Sequence, residues 1–202
     1  MNTTRSRAEA TFRGLRHSLL VAALLCSVAG CSSGNSAPTI ASITNPPGPQ
    51  PTVSGTTFRD PQGAYTITVP GSWAKTPGTS NGDIESWLVG PESSDFTANV
   101  NVITQPVPGI DLEEYLKASA DAAPKQMENF KLVSRGFLTS ASGSKLGALE
   151  YTGRTSGSDL HFLAIFGVSN GRAVAATLTA LPVDFPRLRT EAEPYLRTLK
   201  LV

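Results

Sequence analysis

The sequence predicts an α+β domain, an antiparallel β-sheet with flanking helices, and three observations carry that expectation. Short segments of alternating apolar and polar residues recur from residue 56 to residue 180, each bounded by Gly, Pro, Asn or Ser. Apolar spacing turns helical at two places only, near residues 110–123 and 184–199. Between them, Asn170-Gly171 supplies the positive φ values of a tight type I′ hairpin, which makes the neighbouring segments consecutive antiparallel strands.

Each element follows from local chemistry. Phe58 leads a short strand, residues 60–63 (Asp-Pro-Gln-Gly) turn the chain, and Tyr65, Ile67 and Val69 alternate with Thr66 and Thr68. Pro70-Gly71 ends this hairpin, and Trp73 folds back onto the core edge. Residues 85–89 form the next strand, and residues 90–94 return the chain to one in which Phe96, Ala98, Val100 and Val102 lie opposite Asn99 and Asn101. Pro106 and Pro108 stop it. Asp111 caps a helix, Glu114 completes a capping box, and Leu112, Tyr115, Leu116 and Ser119 share one face until Pro124 ends it near Ala123. Four strands follow at 132–139, 145–154, 160–168 and 172–180. Asp184 then caps a second helix with Phe185, Leu188, Ala192, Tyr195, Leu196 and Leu199 on its apolar face and a kink at Pro194.

Upstream of this domain the chain reads as an address. Arg5, Arg7, Arg13 and Arg16 precede an apolar run from Leu19 to Leu25, closed by the small residues Ser27, Ala29 and Gly30. Even with its closing residues that apolar core is about ten residues against the roughly 20 a spanning helix needs, so residues 1–30 are expected to be a signal peptide. Val28-Ala29-Gly30-Cys31 resembles a bacterial lipobox, which implies cleavage between Gly30 and Cys31 and a diacylglyceryl group on the Cys31 thiol. Two long acyl chains hold a protein stably on a membrane where one does not. Residues 31–55, rich in Ser, Thr, Gly and Pro and free of charge, are expected to form a tether between Cys31 and a domain spanning 56–202.

Processing changes the charge balance. The full chain carries 17 basic and 16 acidic residues; the leader takes four arginines and Glu9, leaving 13 basic against 15 acidic and a net charge of −2. That balance makes nucleic acid a poor partner, since phosphate binding needs an excess of Lys and Arg on one face. Cys26 leaves with the leader and Cys31 is acylated, so the folded domain holds no thiol for a disulfide, a redox pair, a thiolate metal site or a nucleophile.

Catalytic signals are sparse. Residues 78–82 (Gly-Thr-Ser-Asn-Gly) spell G-x-S-x-G around Ser80, but a nucleophile elbow needs a strand before the serine and a helix after it, and here Pro77 precedes and strand pattern follows. His17 leaves with the leader, so His161 is the domain's single histidine, at the start of a central strand. It suits a hydrogen-bonded structural role or, in the alternative, a general base. Glu113 with Glu114 and Glu191 with Glu193 point apart on their helices, and Asp83, Glu85, Glu92 and Asp95 lack calcium-loop spacing. No phosphate loop and no metal or cofactor motif occurs, so no cofactor is expected. Large side chains with polar tips remain, among them Trp73, Trp87 and Tyr115, which are core or else line a cleft between sheet and helix for an apolar ligand.

The lipobox VAGC, the opening FRDPQGAYTITVPGSW, the strand ANVNVI, the helix start DLEEYL, the segment ALEYTG and the strand VAATLTA together resemble the Mog1/PsbP-like fold and, within it, the LpqN-type lipoproteins of actinobacterial cell envelopes. The resemblance spans about residues 56–202. It implies a non-enzymatic envelope lipoprotein on the extracytoplasmic face of the membrane, a binding or accessory module cooperating with export of long-chain envelope lipids or with a membrane protein partner. It assigns no catalytic residue. Two other readings stand beside it: an envelope hydrolase using His161 or carboxylates that meet in space, and a scaffold lipoprotein without a small ligand.

Overall fold

In the computed structural model of the protein, residues 41–43, 52–77, 84–90 and 96–202 are described. The leader, Gly30 and Cys31, most of the tether, the 78–82 string and three of the four loop carboxylates (Asp83, Glu92 and Asp95) lie outside them.

In chain order the first strands are β1 (Ala41–Ile43), β2 (Thr56–Arg59), β3 (Tyr65–Val69), β4 (Ala74–Thr76), β5 (Ile84–Leu88) and β6 (Asn99–Pro106). After helix α1 (Leu112–Ala122) and a 3₁₀ turn (Ala123–Lys125) come β7 (Glu128–Thr139), β8 (Lys145–Thr155), β9 (Ser158–Ser169) and β10 (Arg172–Ala180), then α2 (Phe185–Leu196) and β11 (Lys200–Leu201). Eight strands form one sheet in the order β1-β7-β8-β9-β10-β6-β5-β4, and β11-β3-β2 form a second. Every pairing is antiparallel except β1 with β7. The fold is α+β, as the patterning predicts.

Alternation along the central strands divides the core in two. On one face of the large sheet, Val100, Leu146, Ala148, Leu163, Ile165, Ala176 and Leu178 pack beneath Phe185, Leu188, Ala192 and Leu196 of α2 and beneath Tyr65 and Ile67 of the small sheet. On the other, Leu149, Tyr151, Phe162, Ala164, Phe166 and Ala173 pack beneath Tyr115, Leu116 and Ala120 of α1. A sheet covered on both faces needs central strands apolar on both faces, and β9 supplies them.

Turn chemistry sets the register. Asn170 and Gly171 have φ of 51° and 70°, and Ser156 and Gly157 have 51° and 85°, so both long hairpins turn on two residues of positive φ. At α1 the Asp111 carboxylate accepts from the backbone N–H groups of Glu113 and Glu114 at 2.9 Å each, and the Asp111 N–H donates to Glu114 at 3.2 Å. The predicted capping box is formed.

On β6 the face of Asn99 and Asn101 is buried as well as the apolar one. Three local expectations are corrected. Residues 41–43, assigned to the tether, form β1 on the outer edge of β7, where the missing side chain of Gly136 makes room: a Cβ there would stand 2.3 Å from the Ile43 carbonyl oxygen. Asp184 makes no side-chain capping bond, its backbone already being helical. Finally, α2 runs through Pro194 and stops at Leu196, so Leu199 is buried beyond the helix and Lys200–Leu201 join β3 as a strand. Pro194 is tolerated in the last turn because the missing N–H there costs a single bond.

Candidate functional site

The three aromatic residues expected to line a cleft do not converge. Trp87 is 2% exposed on the α2 face, edge-on to Phe58 with centroids 5.2 Å apart. Trp73 lies half-buried on the same side, 5.6 Å from the Tyr195 ring. Tyr115 sits across the sheet on α1, edge-on to Phe166 at 5.1 Å. Strand alternation explains the separation, since Trp87 shares a sheet face with α2 while α1 carries Tyr115 to the other.

Around Tyr115 there is nevertheless a hollow between α1 and the sheet, of about 40 Å³, lined by Ile103, Gln105, Tyr115, Ser119, Leu149 and Phe166 among others. Its floor includes the small residues Ala164 and Ala175, which leave space beneath the helix. At the rim the Gln105 side-chain amide donates to the Tyr115 hydroxyl at 2.6 Å. Ser119 is 4% exposed, and its Oγ has no hydrogen-bond partner among the described residues. Asn101 Oδ1, on β6, is likewise unpartnered among them. A buried hydroxyl left unmatched costs about 1–3 kcal/mol, a cost that a bound group accepting or donating there would relieve. The sequence carried a signal for this hollow in Ser119, a polar residue on the apolar stripe of α1.

The second polar constellation lies on the α2 face. Glu150, 5% exposed, accepts from His161 Nε2 at 2.9 Å, from the Arg189 guanidinium at 2.8 Å and from Ser134 Oγ at 3.0 Å. His161 stacks on Phe185 with ring centroids 3.5 Å apart. Burial alone would raise the Glu150 carboxyl, but the His161 hydrogen bond, the Arg189 charge and the Ser134 hydroxyl outweigh it and hold the group below its ordinary value of 4.5. The order of the groups matters chemically. In a serine nucleophile device the imidazole stands between hydroxyl and carboxylate, whereas here the carboxylate stands between Ser134 and His161, on separate oxygens. The network pins β7, β8, β9 and α2 together. Sequence reading found His161 and missed Ser134, Glu150 and Arg189, because partners from four elements leave no local motif.

Among the remaining carboxylates, Glu85 is buried and pairs with Lys75 at 3.0 Å, while Glu193 binds Arg189 at 3.1 Å. Among the described residues no group of three His, Cys, Asp or Glu side chains comes together as metal ligands, and no helix is long and apolar enough to cross a membrane.

No protein-family model matches the chain, and no curated protein sequence matches it. Solved structures do. LpqN of Mycobacterium tuberculosis, described as involved in cell envelope biogenesis, superposes with a TM-score of 0.55 at 15% identity, over 73% of this chain and 90% of that one. The cyanobacterial PsbP of Synechocystis sp. PCC 6803 gives 0.53 at 13% identity, over 77% and 100%. A single-site variant of Mog1 gives 0.51 at 11% identity, over 74% and 97%. At such identities the likeness concerns architecture, and on that ground the domain has the Mog1/PsbP-like fold.

Proposed function

We propose that the chain is a non-catalytic cell-envelope lipoprotein of the LpqN type, held on the extracytoplasmic face of the membrane by acylated Cys31, which binds the apolar part of an envelope lipid beneath α1 and hands it to a membrane protein partner. The observation that carries this reading is the hollow under α1, with alanines in its floor and the unmatched Ser119 hydroxyl in its wall. Its volume of about 40 Å³ is far below the roughly 300–1,000 Å³ of formed ligand sites, so a lipid enters only as α1 moves outward. Tyr115, Leu116, Ser119 and Ala120 are the buried residues by which the helix is held, a short contact line compared with that of a central strand. Support of a different kind comes from the envelope-biogenesis description of LpqN, which shares the fold.

Native mass spectrometry of the mature chain, isolated from its own envelope, tests the proposal. Wild-type protein should carry an extra mass that organic solvent extracts and that is identified as an acyl or glycolipid species. Ser119→Leu, which fills the hollow, should lose it. A wild-type mass matching the acylated polypeptide alone would contradict lipid binding and favour a scaffold without a small ligand.

A further inference from the structure

The small sheet turns one face to the core and the other outward. Alternation along β3 buries Tyr65 and Ile67 and leaves Thr66 and Thr68 on the outer face. Cross-strand register then arranges that face in two rows, because residues directly opposite each other share a side. In the first row Arg59 of β2 and Lys200 of β11 flank Thr66, one on either side. In the second, Thr57 stands opposite Thr68. Thr198, just before β11, completes it, its hydroxyl accepting from the Thr68 N–H at 2.8 Å. The rows lie about 7 Å apart along the strands.

Threonine is ordinary on the wet face of a sheet, since β-branched side chains suit strands. Two further features point to a ligand. The face is concave: residues 52–53 and the turn at Ala141 and Ser142 wall it into a groove of about 440 Å³, within the roughly 300–1,000 Å³ of small-molecule sites. The Ala141 N–H donates to the Arg197 carbonyl at 2.8 Å, which fixes that wall to the end of α2. The second feature is uncompensated charge. Among the described residues neither Arg59 nor Lys200 pairs with a carboxylate, and no Asp or Glu lines the groove. Asp60, next to Arg59, alternates inward, where it is 3% exposed and accepts from the Ala64 N–H at 2.8 Å.

The two rows offer different chemistry. Ammonium and guanidinium groups donate only and suit phosphate oxygens, whereas threonine hydroxyls donate and accept, as sugar hydroxyls do. We propose that the groove binds a phosphorylated sugar, with the phosphate over Thr66 between Arg59 and Lys200 and the ring over Thr57, Thr68 and Thr198. Two cations are too few to hold nucleic acid, whose binding needs many phosphate contacts. The groove belongs to the small sheet on the α2 side of the large one, away from the hollow under α1, so it does not depend on lipid binding there.

Isothermal titration calorimetry of the full chain with glucose 6-phosphate tests the assignment, with glucose and inorganic phosphate as separate titrants. The sugar phosphate should give saturable heat, and each component alone should bind about tenfold more weakly or worse. Arg59→Gln and Lys200→Gln, both at exposed positions, should each weaken binding several-fold and leave the melting temperature unchanged. Absence of saturable heat with glucose 6-phosphate overturns the proposal, and so does binding that the double variant leaves intact, which would put the ligand elsewhere. Inorganic phosphate that binds as tightly as the sugar phosphate also overturns it, by reducing the groove to a simple anion contact.

Discussion

Glu150 shows what one carboxylate does when four elements meet on it. Its two oxygens take three donors, so replacing it by the amide would leave one accepting oxygen for three donors and remove the charge that faces Arg189. Glu150→Gln should cost about 2 kcal/mol, the loss of a charge-assisted hydrogen bond to Arg189 reduced by that residue's exposure. The pH dependence has a definite sign. A carboxyl held low in the folded state stabilises fully above its unfolded pKa, and the contribution disappears as pH falls through the lower folded value. Wild-type stability should therefore decline below about pH 4.5 more steeply than that of Glu150→Gln, measured by urea titration at several pH values. An identical acid limb in both proteins would show that the network carries no such linkage. His161 was legible in the sequence as a structural histidine at the head of a central strand. Its partners were not, because contacts across 11 and 39 residues leave no spacing to recognise.

At the level of elements, the long strands and the cap of α1 were the most readable features, since each is decided by its own residues, whereas the expected cap at Asp184 makes no side-chain bond. The capping box of Asp111 and Glu114 and the Asn170-Gly171 hairpin are local bargains between side chain and backbone. Elements that owe their form to distant packing were less visible. β1, β4 and β11 have two or three residues each, and each becomes a strand only because an edge of β7, β5 or β3 accepts it. Arg197, 3% exposed, ties the end of α2 to the Thr139 carbonyl at 2.9 Å, another link no periodicity foretells. The cap of α1 bears on the proposed lipid binding, because that helix roofs the hollow. Asp111→Ala should destabilise the protein by about 1 kcal/mol in denaturant titration and speed amide exchange in α1 more than in β9. Uniform acceleration through both elements would mean that α1 has no independent mobility.

On the scale of the molecule, two lines of reading converge from opposite ends of the chain. The described residues, β1 included, fold into the predicted α+β architecture, shared with LpqN and PsbP. The proposed placement of that domain rests on residues 1–31, read as a leader and a lipobox cysteine from a pattern of charge, apolar length and one thiol that needs no tertiary structure to read. The site was only partly legible. Tyr115 and Ser119 were on the predicted apolar face of α1, but strand alternation sends Trp73 and Trp87 to the other side of the sheet. Sequence gives the composition of a face more readily than which faces oppose one another.

The proposed place of the protein on the membrane depends on the anchor, and metabolic labelling with radioactive palmitate followed by membrane fractionation tests it most directly. Wild-type protein should take up label and sediment with membranes, and Cys31→Ser should do neither, remaining unlabelled and free of the membrane fraction unless its uncleaved leader holds it, which N-terminal sequencing would reveal. A Cys31→Ser protein with its leader removed that still labels and sediments like wild type would contradict the account.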